Sequence, residues 1–513
     1  MTDRPNILLI TTDQQRFDTI RVAGYEFMKT PNLDRLADEG CLYENAYSTN
    51  PACIPARHNI LTGLTCKHHG FEKNYFNDQR QLPHDIPTFP ELLSNGGYDT
   101  LAVGKMHFAP VRAHHGFNRM HLMEEIPKFL FDDDYALFMQ KSGFDSFQSF
   151  HGVRHRLYML PQQSMFPEKY HGTTWVADKT IEAISQNRGD NPFMIWTSFI
   201  EPHPPFDVPG EWAHLYDEVD IPIGYDSITP VSPIAMENKA IAEYHDEFDR
   251  DRAKQLYYCA ISFVDYHIGR IIDKLEETGQ LDNTLIVFTS DHGEMLGNNN
   301  TYQKFLPYDG SSKIPFIMRY PKFIEKGTRD KRFVDLNDLL PTFLDVASIP
   351  YPAEFKLLGE SIFSDMNKKD RKHQYVEHEV GNKRWISLRN EYFKYNYYYG
   401  GGREELFDMK KDSKEQINLL YNDRDTYESI RVDLASKLLE YEKEWGLEGY
   451  IVNDCFIRLD EYIAKPFFER NFPIHVKYFS EEEKAGLKSI EEEIDLAICH
   501  EPSVIKEHLN FDN

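Results

Sequence analysis

Four short apolar runs, each cut off abruptly by charged or imidazole side chains, constrain this chain more than any other feature. They are Asn6 to Thr12, ending at Asp13; Thr100 to Val103, ending at Gly104-Lys105-Met106-His107; Pro192 to Ile200, ending at Glu201-Pro202-His203; and Thr284 to Thr289, ending at Ser290-Asp291-His292-Gly293. Such near-continuous apolar runs read as strands buried on both faces, as in a parallel sheet under helices. Amphipathic segments lie between them: Asn32 to Gly40, with an Asn cap and a glycine stop, and Asp251 to Thr278. Strands alternating with helices imply an α/β sandwich, whose ligands sit beyond the carboxyl ends of the strands. The reactive groups at all four ends are therefore expected to converge. After about residue 372 the texture changes. Tyr375 to Val380, Arg384 to Arg389 and Tyr392 to Tyr399 read as antiparallel strands with turns at Gly381-Asn382 and Gly400-Gly401-Gly402, and a helix is predicted over Thr426 to Trp445. The expected organisation is a large α/β domain over 1–372, an α+β subdomain over 373–450 and an extension over 451–513. The extension's acidic stretches (Glu481 to Glu483, Glu491 to Glu493) read as solvated helix faces, with oligomerisation or pocket lining as its expected use.

Charge narrows the partners. With 57 basic and 83 acidic residues the formal net charge is −26, which argues against a nucleic-acid-coating surface. An anionic substrate would need positive charge concentrated in one pocket. The six cysteines are scattered without a CxxC pair, too sparse for a disulfide scaffold. The apolar stretch Ile7 to Ile10 is too short for a leader core, and no run approaches the length of a membrane helix. The chain as given is expected to be soluble and cytoplasmic, with no membrane partner.

Cys53 stands apart from the other cysteines. In Asn50-Pro51-Ala52-Cys53-Ile54-Pro55-Ala56-Arg57, Pro55 suits a first helical turn, and Leu61-Thr62-Gly63 suits its end. That puts Cys53 at the positive end of a helix, a place that stabilises anions or activated side chains. Taken alone, a cysteine there is more often a buried structural residue.

The spacing Cys53-x-Pro55-x-Arg57 resembles the signature of the formylglycine-dependent sulfatases, in the alkaline phosphatase superfamily. Asp13, Leu61-Thr62-Gly63, Gly104 to His107, Pro202-His203, Ser290 to Glu294 and Lys304 match further blocks in order, and Arg384 to Leu419 is similar to the family's C-terminal subdomain. The resemblance implies a large mixed, mostly parallel sheet sandwiched by helices, with a smaller subdomain carrying an antiparallel sheet. It implies that a maturation enzyme oxidises Cys53 to formylglycine, whose hydrate attacks sulfur through one hydroxyl and expels sulfate through the other. It assigns Asp13, Gln14, Asp291 and His292, with the modified Cys53, to a divalent cation. Arg57 and Lys105 would position the nucleophile and the sulfate, and His107 would be the base of sulfate expulsion. His203 and Lys304 would contact sulfate, one of them protonating the leaving oxygen; Lys105 and Asn74 complete the expected substrate contacts.

Two positions depart from the commonest pattern: Gln14 stands where many sulfatases have Asp, and His292 where they have Asn. Calcium is the expected ion, with magnesium or manganese as alternatives because an imidazole joins the set. The same pairings occur in choline-sulfatase-like and phosphonate-monoester-hydrolase-like relatives. The leading reading is hydrolysis of a small anionic sulfate monoester, whether of a carbohydrate, choline or a phenol. Phosphonate monoester or phosphodiester hydrolysis is the alternative, and a non-catalytic anion- or glycan-binding protein is the third.

Overall fold

The computed structural model describes residues 4–464, apart from 76–79, 126–129, 146–149, 153–160, 223, 244–249 and 364–370. The acidic stretches of the extension and Cys499 lie outside the described residues.

The apolar runs form the centre of one mixed sheet. In chain order its main strands are β1 (Asn6–Thr12), β2 (Cys41–Tyr47), β3 (Asp99–Gly104), β4 (Arg119–Leu122), β5 (Phe193–Ser198), β6 (Thr284–Ser290), β7 (Phe316–Arg319) and β8 (Thr328–Asp335). They lie in the order β8-β2-β7-β6-β1-β5-β3-β4, with the two-residue strand Lys313–Ile314 pairing β2. From β6 to β4 the neighbours are parallel, whereas β7 runs against both β6 and β2. All seven residues of β1 and of β6 are buried, as the runs predict.

Alternation along β1 divides the core in two. Ile7 and Leu9 join α2 (Cys53–Thr62) and α5 (Leu339–Ala347) on one face; Leu8 and Ile10 join α1 (Pro31–Glu39), α3 (Gly172–Ile184) and α4 (Arg250–Glu277) on the other. Each face excludes water, so the parallel ladder needs no polar alternation. The start of α1 differs from expectation. Thr30 is its cap residue, Pro31 opens the helix, and Asn32 instead gives its backbone and side-chain amides to Asp265 of α4. Proline already fits the first helical position, so the asparagine is released to tie two helices together. Among the described residues no helix is long and apolar enough to cross a membrane.

The C-terminal sheet is a four-stranded antiparallel meander: β9 (Gln374–His378), β10 (Trp385–Arg389), β11 (Phe393–Tyr398) and β12 (Arg403–Asp408). The helix α6 (Arg424–Trp445) packs on it through Leu434 and Leu438. The described part of the extension begins as a hairpin, Ile451–Val452 with Cys455–Phe456, and the Phe456 ring stacks on Tyr397 at 4.7 Å. The Tyr397-Tyr398-Tyr399 run thus packs internally rather than presenting a sugar-binding face. Trp385 of this sheet donates from Nε1 to the Phe305 carbonyl at 2.9 Å, bringing it against the segment that carries Lys304.

Candidate active site

Five parallel strands end at the same edge, and four of them deliver the expected groups there. Asp13 follows β1, Lys105 and His107 follow β3, His203 follows β5, and Asp291 and His292 follow β6. At the end of β3, Gly104 has φ +92°, and a Cβ there would lie 2.0 Å from the Ser198 carbonyl oxygen. Only glycine permits that approach, which lets the Lys105 amide bond the same carbonyl at 3.0 Å and turns the lysine into the site. Cys53 occupies the first turn of α2, at the positive end of the helix dipole. The helix closes at Gly63 with φ +68°.

The Cys53 Sγ is 2.9 Å from Lys304 Nζ, 3.3 Å from His292 Nε2 and 3.8 Å from Asp13 Oδ1. Arg57, one turn further along α2, reaches behind it. Its Nε is 3.1 Å from Asp291 Oδ2, its Nη2 3.2 Å from Asp13 Oδ2 and its Nη1 2.8 Å from Ser198 Oγ. The arginine thereby holds the outer oxygen of each carboxylate and leaves the inner ones facing His292, whose Nε2 lies 3.6 Å from Asp13 Oδ1 and 3.5 Å from Asp291 Oδ1. One ligand atom each from Asp13, Cys53, Asp291 and His292 lies within 4.8 Å of the others, and all four residues are buried. Gln14 donates to Glu294 from its amide nitrogen and accepts from Lys304 Nζ at 2.9 Å.

This cage fits a divalent cation. His292 Nδ1 lies 3.1 Å from the Gly293 carbonyl, an acceptor, so the ring proton belongs there and the Nε2 lone pair faces the carboxylates. Burial, with Lys304, pushes His292 well down and keeps it neutral. Burial raises Asp13, but the Lys105 and Lys304 ammonium groups outweigh it and hold the carboxyl well below the usual range. Asp291 goes the other way, pushed up to about 7 by burial and by Asp13 beside it. Two adjacent buried carboxylates resist ionising together unless a cation lies between them. Burial, with Asp13, also pushes the Cys53 thiol up to about 11, so the unmodified side chain is a protonated, weak nucleophile.

Every reactive residue expected from sequence lies around this cage. A His107 ring nitrogen is within 4.8 Å of Cys53 Sγ and of a Glu125 oxygen, and His203 Nε2 is 3.4 Å from Glu125 Oε1. Backbone strain concentrates here too, since Gln14, His107, Gln303 and Phe305 all have φ between +58° and +78°. Asn74, expected at the substrate, accepts from the Ile54 amide at 3.0 Å and so caps α2. His69 is buried with Nε2 2.7 Å from Asn59 Oδ1, and His114 Nδ1 sits 2.8 Å from the Phe117 carbonyl; both serve local packing.

Sequence reasoning missed two neighbouring carboxylates. Glu124 accepts from the Met106 and His107 amides, and Glu125 pairs with Lys105 Nζ. The one trace was Met120-His121-Leu122-Met123, a short run broken by His121 that ends in the acidic pair.

Residues 5–349 match the family model described as Sulfatase, and residues 297–444 match that of the N-sulphoglucosamine sulphohydrolase C-terminal region. An arylsulfatase of Clostridium perfringens is 32% identical over 478 residues, covering 87% of this chain and 96% of the relative. An N-acetylglucosamine-6-O-sulfatase of Bacteroides thetaiotaomicron is 27% identical, covering 86% and 87%. The crystal structure of a phosphonate monoester hydrolase of Agrobacterium radiobacter superposes with a TM-score of 0.72 at 24% identity, covering 86% and 96%, a likeness of fold.

Proposed function

The chain belongs to the sulfatase family and is a hydrolase of sulfuric ester bonds, and from that premise we propose that it cleaves a small sulfate monoester, of a carbohydrate, choline or a phenol, using a formylglycine made from Cys53. The observation that carries the reading is the position of Cys53, buried among Asp13, His292 and Lys304 at the start of α2.

Asp13, Gln14, Asp291 and His292 would hold a divalent cation, with calcium expected, which when bound neutralises the sulfate oxygens. A formylglycine at 53 supplies the hydrated aldehyde that the thiol lacks. Arg57 keeps both carboxylates turned toward the ion. Lys105 and Lys304 are buried with their ammonium groups at Asp13 and Cys53, where an anionic ester gains fixed positive charge in a water-poor site. Burial raises the cost of each charge, yet Asp13 and its neighbours keep both lysines protonated. In this reading His203 or Lys304 would give a proton to the leaving oxygen, with His203 preferred, and His107 would take one as sulfate departs.

The test is co-production with a formylglycine-generating enzyme, mass spectrometry of the peptide bearing Cys53, and turnover of aryl sulfate, choline sulfate, sulfated sugars, a phosphonate monoester and a phosphodiester. An aldehyde at 53, turnover of a sulfate ester and loss of turnover in Cys53→Ala are expected. Full activity with an intact thiol, or a preference for the phosphonate, would overturn the reading.

A further inference from the structure

Glu125 is a carboxylate in a pocket that must receive an anion. It follows β4, with Leu122 in register with Gly104, so the chain delivers it beside Lys105. It is buried, with one oxygen on Lys105 Nζ and the other 3.4 Å from His203 Nε2. By charge alone it opposes sulfate binding, because it offsets one of the three buried cations, Arg57, Lys105 and Lys304.

We propose that Glu125 is a positioning residue that bridges Lys105 and His203 and holds a transferable proton on the His203 Nε2 edge for the departing oxygen of the ester. This rests on the sulfatase reading above. His203 Nδ1 lies 2.6 Å from the Pro204 carbonyl, an acceptor only, so Nδ1 carries a proton. Nε2 faces a second acceptor, Glu125 Oε1. A neutral imidazole has one proton and cannot serve both. Burial pushes His203 toward that neutral form, and Glu125 is the first group to oppose it, so the carboxylate is what favours a proton shared between Nε2 and Oε1. Lys105 anchors the opposite carboxylate oxygen and fixes the direction of this contact. When the bond from sulfur to the leaving oxygen breaks, that oxygen keeps the electron pair and takes the proton from Nε2. His203 is left neutral with its proton on Nδ1, Glu125 remains ionised against Lys105, and water restores the proton before the next turnover.

The proposal predicts effects of opposite sign from one substitution. In metal-loaded protein carrying the modified Cys53, Glu125→Gln should lower kcat on phenyl sulfate about 100-fold. On 4-nitrophenyl sulfate, whose phenolate leaves with little help, the fall should stay below about 5-fold. Inorganic sulfate should inhibit the variant more strongly than the wild type, because a negative charge has gone. Glu125→Asp should recover part of the loss on phenyl sulfate. Equal losses on both esters, or weaker sulfate inhibition, would show only a structural prop and overturn the proposal. A readout independent of turnover is the imidazole spectrum of ¹⁵N-histidine-labelled protein, with the His203 signals identified by their loss in His203→Asn. Protons on both nitrogens are expected in the wild type and on one in Glu125→Gln. Identical spectra would overturn the dyad, whereas a wild type that turns over no sulfate ester counts against the sulfatase reading and leaves the spectra to judge Glu125.

Discussion

Arg57 shows how much one side chain settles at this site. It has no exposure, and its guanidinium holds one oxygen of Asp13 and one of Asp291. Burial works against that charge, but Asp291 and Asp13 keep the guanidinium protonated. Arg57→Met removes the fork, leaving Asp13 with Lys105 and depriving the buried Asp291 of its guanidinium partner. Without metal this should cost about 3–5 kcal/mol, measured by urea unfolding in chelator, the usual penalty for breaking a buried pair. Cation affinity, measured by calorimetry, should fall about 10- to 100-fold, because groups behind metal ligands set ligand orientation. Arg57→Lys keeps the charge but not the fork, so it should rescue stability more than affinity. If cation affinity is the same in all three proteins, Asp13 and Asp291 are not the ligands.

At the scale of elements, α2 couples the chemistry to the core. Its tenth residue and its first are equally buried. His58 sits between them with Nδ1 2.7 Å from the Ile54 carbonyl and its ring stacked on Phe71 at 3.8 Å. Its Nε2 has no hydrogen-bond partner among the described residues, and burial pushes the imidazole down to about 3. The folded state therefore binds fewer protons than the unfolded chain between about pH 6.5 and 3, and stability is lost as pH falls below 6.5. At pH 5 that one group costs about 2 kcal/mol. His58→Phe should shrink the loss of unfolding free energy between pH 7.5 and 5 by that amount, and an unchanged loss would mean the imidazole titrates normally in the fold. The ends of α2 were legible in Pro55 and Gly63, as β1, β3, β5 and β6 were in their unbroken apolar runs, because a strand buried on both faces leaves a strong local trace. By contrast, β4 has four residues, three of them half-buried, and its trace is too weak to announce Glu125. The turn of Gly104 onto the Ser198 carbonyl is a contact between distant residues, which no local pattern encodes.

For the whole molecule, the question is whether the two sheets fold as one. Glycine turns and aromatic strands marked the change of texture near residue 372, but nothing local announced what joins the parts. Asp309, five residues beyond Lys304, accepts from Lys394 Nζ at 2.6 Å and pairs with Arg389 Nη1 at 2.6 Å, both from the C-terminal sheet. Tyr47 of the large sheet donates to the same carboxylate at 3.0 Å, while Glu415 pairs with Lys394 at 2.7 Å. Burial alone would raise Asp309, yet Arg389 and Lys394 hold it well below the usual carboxylate range. These charges lie up to about a hundred residues apart in sequence, so only the folded chain brings them together. Such a cluster is stable only when complete, since removal of one partner leaves a buried charge unpaired. Lys394→Met should therefore destabilise the chain by about 3–5 kcal/mol. Because Asp309 belongs to the large sheet's side, the loss should not be confined to the small one. Trp196 in β5 and Trp385 in β10 are both fully buried and report the two sheets separately. Followed in single-tryptophan variants, they should unfold at one common urea midpoint and shift together in Lys394→Met. A shift at Trp385 with Trp196 unmoved would mean the sheets fold independently and that the segment carrying Lys304 is ordered without the C-terminal sheet against it.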